Sequence, residues 1–190
     1  MKKRNETMIE LGAVCGRFQV FHNDHLKYIL SAKKQCKHLI IGITSPDPSV
    51  SPVEKIDKHR SNSQANPCTY FERMMIIEES MYENGFTRED FHIVPFPIGK
   101  PELIRYYVPQ EATCFFTIYD DWGEEKVRRI GSFGYDTKVL WKSKEKGLTS
   151  TFIRKCIVEG RDWSNYVPKA TYELIRKFKI DERIKKASQI

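Results

Sequence analysis

Gly16-Arg17-Phe18-Gln19-Val20-Phe21-His22-Asn23-Asp24-His25-Leu26 stands between an apolar run, residues 9–15, and an amphipathic stretch, residues 25–35. The run before Gly16 reads as a buried strand, and the apolar spacing after His25 reads as a helix. A glycine turn, an arginine and two histidines three residues apart therefore converge on a helix N-terminus. Free backbone N–H groups and the macrodipole at such an end attract phosphate, and imidazoles at that spacing can donate hydrogen bonds to neighbouring phosphoryl oxygens. On these residues alone a second reading stays open, in which His22 and His25 only finish a loop and start a helix.

The same alternation continues outward. Residues 38–43 read as a strand, 69–84 as a helix ended by Gly85, 91–94 and 113–118 as strands, 124–133 as a helix stopped by Gly134, and 139–141 as a short strand. The strands are rich in Ile, Val and Phe without clean alternation, as expected when helices cover both faces of a sheet. The fold class is therefore α/β, a doubly wound parallel sheet of Rossmann-like type. Ligands in such sheets lie beyond the carboxyl ends of the strands, which directs attention to the loops after Cys15, Ile43 and Ile118.

Residues 44–67 are rich in Ser, Pro, Asp, Asn and Lys and read as a long loop at the active-site edge. Pro168 opens a C-terminal helical segment, residues 168–190, whose apolar positions are Tyr172, Leu174, Ile175 and Phe178, with a short basic helix that frays over 180–190. At 190 residues the chain fits one domain, 1–190.

Composition narrows the function classes. With 40% hydrophobic, 30% charged and 12% aromatic residues the chain has the makings of a core. Five cysteines are spread singly, without a CxxC pair, so a reducing, cytoplasmic setting is expected. No stretch has the roughly 20 apolar residues of a membrane span. The net charge of +7 is dispersed and carries no nucleic-acid motif, so anionic small substrates are the expected partners rather than nucleic acid or membrane.

A second constellation lies at Gly147-Leu148-Thr149-Ser150-Thr151-Phe152-Ile153-Arg154. Thr149 or Ser150 suits an N-cap for a helix over 151–159, whose N–H groups would face an anion, and Arg154 lies one turn inside on the face of Ser150. Seen alone, this is as readily a plain cap followed by a solvated charge.

The first segment resembles the GRFQPFHxGH signature of archaeal-type nicotinamide-nucleotide adenylyltransferases, within the HxGH nucleotidylyltransferase superfamily. Asn66-Pro67-Cys68-Thr69-Tyr70-Phe71-Glu72-Arg73 is similar to the NPFTxxER stretch of those enzymes, and residues 147–154 resemble their SGTxxR or ISSTxxR motif. Gly160-Arg161-Asp162-Trp163 and Val167-Pro168 are also family-like.

The resemblance implies nucleotidylyl transfer from an NTP to a phosphate-bearing small molecule with release of pyrophosphate, Mg²⁺ accompanying the NTP. His22, His25 and Arg154 are then the catalytic residues. Gly16, Arg17, Phe18, Thr149, Ser150 and Thr151 are the nucleotide and phosphate contacts, and Asp47, Arg73, Tyr107, Asp120, Asp121 and Trp122 the substrate or base pocket. Family members often assemble, so a homo-oligomer is expected.

The sequence also departs from the pattern. Asp24 replaces the motif glycine, either as a helix cap or as a help to Mg²⁺, and Val20 replaces a proline. Ser45-Pro46-Asp47-Pro48-Ser49 and Tyr119-Asp120-Asp121-Trp122-Gly123 replace stretches of the archaeal nucleotide pocket. The tryptophan expected to stack nicotinamide is missing from residues 98–108, where Tyr106 and Tyr107 are candidates to replace it or to join the core. Nicotinamide- or nicotinate-nucleotide adenylyl transfer is the leading expectation. CTP-dependent transfer to a small phosphonate or phosphorylated alcohol is the alternative, and an inactive nucleotide-binding domain the second.

Overall fold

The computed structural model describes residues 8–46, 65–145 and 147–189. Five strands, β1 (Ile9–Gly16), β2 (Cys36–Thr44), β3 (Phe91–Phe96), β4 (Thr113–Ile118) and β5 (Thr137–Lys142), form one sheet in the order β3-β2-β1-β4-β5. Every neighbouring pair is parallel. Six helices accompany them: α1 (Asn23–Lys33), α2 (Tyr70–Glu83), α3 (Asp121–Ser132), α4 (Ser150–Val158), α5 (Lys169–Lys177) and α6 (Ile180–Ala187).

Alternate strand side chains fill two cores. Val14, Leu39, Ile41 and Phe115 pack with Ile29, Ile76, Ile153, Ile175 and Ile184 on one face, which joins α1, α2, α4, α5 and α6 to the sheet. Ala13, Cys15, Ile40, Cys114 and Phe116 point the other way, against Ile104, Val108 and Ile130. Burial on both faces removes the polar alternation of an exposed sheet, so the strands read as continuous apolar runs. The result is the doubly wound, Rossmann-like α/β fold that the sequence pattern implies.

Two helix starts and the C-terminal segment differ from the sequence reading for local reasons. α1 begins at Asn23 because His22, not Asp24, is its N-cap. α3 begins at Asp121 because Asp120 caps it, accepting from the Gly123 N–H at 3.0 Å. α6 is no fraying tail, since Ile180 and Ile184 are 0% and 5% exposed within the first core. Among the described residues no helix is long and apolar enough to cross a membrane.

Candidate active site

The order reverses at β1, which lies between β2 and β4, and α1 and α3 leave the neighbouring ends of β1 and β4 on opposite faces. In sheets wound this way the ligand crevice lies beyond the carboxyl ends of the strands at the reversal, here β1 and β4. Gly16 ends β1, and a Cβ there would lie 2.5 Å from the Phe18 ring, so only glycine lets that ring fold beneath the loop. Phe18 is 1% exposed, with its ring edge-on to Phe21 at 5.6 Å and to His25 at 5.1 Å. Phe18, expected among the nucleotide and phosphate contacts, has its ring buried as the floor under His25. The Gln19–Val20 peptide is cis.

His22 is buried, and its Nδ1 accepts from the His25 N–H at 3.4 Å. That acceptor role leaves the proton of the neutral ring on Nε2. The two imidazoles stack with centroids 3.7 Å apart and planes 18° from parallel. Burial pushes the His22 pKa down to about 4 against the charge of Asp24. His25 is held well below the usual histidine range by burial, then by His22 and Arg17, with the Val20 carbonyl opposing. The rings are therefore neutral N–H donors at pH 7, which is what permits them to stack. His25 Nδ1 is buried with no hydrogen-bond partner among the described residues. An orphaned polar atom of this kind calls for a ligand, water or ion to complete it.

The second segment closes onto the first. Thr149 caps α4 by accepting from the Phe152 N–H at 3.1 Å. Ser150 Oγ donates to the Val20 carbonyl at 2.9 Å, and Arg154 donates to the Gln19 carbonyl and, at 3.1 Å, to Thr151 Oγ1. Asp24 Oδ2 accepts from the Leu148 N–H at 2.8 Å. Segments some 130 residues apart thus share one seam, with the N-termini of α1 and α4 on it. The Ser150 hydroxyl proton is used within that seam.

The expected pocket residues divide. Asp120, Asp121 and Trp122 stand at the carboxyl end of β4, with the Trp122 ring 5.3 Å from the Arg129 guanidinium. Tyr107 is 42% exposed but lies at the opposite edge of the sheet. A 3-10 turn, Pro101–Tyr106, carries the chain across the second face, and Tyr135 OH fixes the Val108 carbonyl at 2.8 Å beside the amino ends of β4 and β5. Arg73 is also not an open pocket cation. It is 2% exposed, and its guanidinium donates to the carbonyls of Thr69, Arg17, Thr44 and Ser45 at 2.8–3.2 Å. Asp47 lies outside the described residues.

Sequence reasoning missed Gln19, whose buried amide pairs twice with the Cys68 backbone, donating to its carbonyl and accepting from its N–H, both at 2.8 Å. The available signal was a polar residue inside the apolar Phe-Gln-Val-Phe run.

The model of the cytidylyltransferase-like family matches residues 13–156. The chain belongs to that family. As a cytidylyltransferase-like protein it is a nucleotidyltransferase, and both helix N-termini of the seam lie inside the matched stretch. It is 38% identical over 180 residues to phosphonoformate cytidylyltransferase of Streptomyces viridochromogenes, covering 95% of this chain and 98% of that one. It is 30% identical over 180 residues to nicotinamide-nucleotide adenylyltransferase of Thermococcus kodakarensis, covering 94% and 88%. In fold it is similar to a bifunctional NMN adenylyltransferase/ADP ribose pyrophosphatase of Francisella tularensis crystallised with AMP and a manganese ion. The TM-score there is 0.66 at 19% identity, and the chain, 94% covered, spans about half (52%) of that protein.

Among the described residues no three His, Cys, Asp or Glu side chains gather as a metal cage. One oxygen of Asp24 is already engaged by Leu148 and one of Asp120 by its own helix.

Proposed function

We propose that this chain transfers a cytidylyl group from CTP to a small phosphonate or phosphorylated acceptor, releasing pyrophosphate. The observation that carries the reaction is the neutral, stacked His22–His25 pair beside Arg154 on the seam between two helix N-termini. The choice of CTP is supported by the 38% identity to a phosphonoformate cytidylyltransferase along nearly the whole of both chains.

An ionised oxygen of the acceptor attacks the α-phosphorus in line, the new P–O bond forms as the bond to the bridging oxygen breaks, and that electron pair leaves with pyrophosphate. No general base is needed. His22 and His25 donate hydrogen bonds to non-bridging oxygens as their charge grows. Arg154, Arg17 and the open N–H groups of α1 and α4 hold the departing phosphates, so alignment and electrostatic stabilisation carry the rate. A divalent ion, magnesium in this reading, would come bound to the triphosphate and supply charge screening there, with the protein's own donors being His22, His25, Arg17 and Arg154. Asp120, Asp121 and Trp122 border the crevice and shape donor or acceptor choice.

ATP with nicotinamide mononucleotide is a second reading, favoured by the 30–31% identity to archaeal adenylyltransferases. Pyrophosphate release is the test, crossing CTP and ATP with phosphonoformate, simple phosphonates and nicotinamide or nicotinate mononucleotide. CTP with a phosphonate is the expected productive pair. Turnover restricted to ATP with a mononucleotide would establish the second reading, and failure of every pair would leave a nucleotide-binding domain.

A further inference from the structure

The last helix is tied to the phosphate loop through a single peptide unit. Arg183 on α6 is 44% exposed at its side chain, and the Glu72 carboxylate it meets on α2 is 11% exposed. Arg183 Nη2 donates to Glu72 Oε1 and Nη1 to Glu72 Oε2, both at 2.9 Å, and Nη1 also donates to the Pro67 carbonyl at 2.6 Å. Glu72 Oε2 further accepts from the Thr69 N–H at 2.8 Å, closing the capping box of α2.

The Pro67 carbonyl and the Cys68 N–H belong to one amide. Arg183 holds its oxygen, and at the other end its N–H donates to Gln19 Oε1 at 2.8 Å. Gln19 returns a bond to the Cys68 carbonyl, and its own carbonyl accepts from Arg154. An unbroken run of hydrogen bonds therefore leads from α6, across the start of α2, to the phosphate loop and the arginine of the second motif.

We infer that Arg183 is a positioning residue for nucleotidyl transfer, setting the Gln19 turn of the phosphate loop through the Pro67–Cys68 amide; this rests on the reading of the seam as the transfer site. Donors and acceptors at the two ends of one amide polarise each other, and a bidentate Arg–carboxylate pair fixes orientation as well as distance. An ion pair with one partner this exposed adds little to global stability. Its effect therefore falls on loop geometry, where a displacement of about 1 Å is felt in the rate.

Arg183→Met keeps the stem and removes the fork. It is expected to lower kcat about tenfold or more with a small change in Tm. Arg183→Lys restores part of the rate, because one ammonium cannot serve the Pro67 carbonyl and both Glu72 oxygens in the same geometry. Glu72→Gln adds little in the Arg183→Met background if the two act as one unit. Ile184→Val, which loosens α6 without touching the clamp, loses Tm and keeps kcat.

Amide hydrogen exchange at residues 16–22, read without substrate, is expected to speed up about tenfold in Arg183→Met and to stay unchanged in Ile184→Val. This second readout separates the inference from the assignment of function. Faster exchange with no turnover of any donor would retain the positioning role and discard the reaction. Unchanged exchange with kcat within twofold of the parent would overturn the positioning role, as would an equal kcat loss in Ile184→Val at matched Tm.

Discussion

His22 and His25 stack with ring centroids 3.7 Å apart, and in the proposed reaction their worth depends on remaining uncharged until phosphate arrives. Two imidazolium rings at that separation would repel each other, whereas two neutral rings offer N–H donors without a desolvated charge. His25→Ala should lower kcat by about a hundredfold, the usual order for losing one transition-state donor, and near-normal turnover in steady-state kinetics would remove His25 from the mechanism. A stability consequence follows from the same burial. The folded-state pKa of His22 is about 4 against 6.5 unperturbed, so between those values the unfolded chain binds a proton that the folded chain refuses. Stability then falls with falling pH across that window, by up to about 1.4 kcal/mol per pH unit, and the loss levels off below pH 4. Urea unfolding at pH 7, 6 and 5 should give a shallower slope for His22→Gln than for the parent, and parallel slopes would contradict the assigned burial cost. The place of both histidines, between the first strand and the start of α1, was legible in the sequence from the apolar patterns on either side. Their stacking was not, because it depends on Phe18 turning under Gly16.

At the scale of elements, propensity and period located every strand and helix of the described sheet, and caps decided the boundaries. Asp24 illustrates what a local reading leaves out. As an acidic residue in the first turn of α1 it suits a cap, yet the carboxylate reaches the Leu148 N–H and joins α1 to the entry of α4. Its partner is a backbone group more than a hundred positions away, which no periodicity reports. Gly147 belongs to the same contact, since a Cβ there would lie 2.3 Å from Asp24 Oδ2. Asp24→Ala should destabilise the protein by about 1.5–3 kcal/mol, the range for a hydrogen bond to a charged group, while Asp24→Asn keeps an acceptor and most of the stability. Thermal unfolding reads the first difference. Magnesium titration of the activity reads the second, where an unchanged half-saturation in Asp24→Asn is expected and a tenfold shift would return Asp24 to the metal.

For the whole molecule, the two-faced winding was legible because burial on both faces leaves its mark on each strand. How the carboxyl edge is held together was hidden, because the holding groups are main-chain carbonyls, identical at every position. Arg73 gathers them. Its guanidinium joins the Arg17 carbonyl just after β1, the Thr44 and Ser45 carbonyls at the end of β2, and the Thr69 carbonyl ahead of α2. Burial lowers its pKa to about 10, which leaves the charge in place at neutral pH, and carbonyl dipoles supply the compensation. The resemblance put this arginine in the substrate or base pocket, whereas the fold commits four of its donor contacts to the backbone. Arg73→Ala strands several carbonyls at once at an edge where two strands and a helix meet. The expected loss is about 3 kcal/mol or more, since each buried group left unsatisfied costs on the order of 1–3 kcal/mol. Arg73→Lys should recover only part, because an ammonium presents its donors from one atom and cannot reach the carbonyls arrayed around the edge of the guanidinium. Urea midpoints at constant m-value measure both changes. If Arg73 instead bound substrate, the alanine variant would keep its midpoint and lose KM, so the two measurements together decide between a tie and a ligand contact.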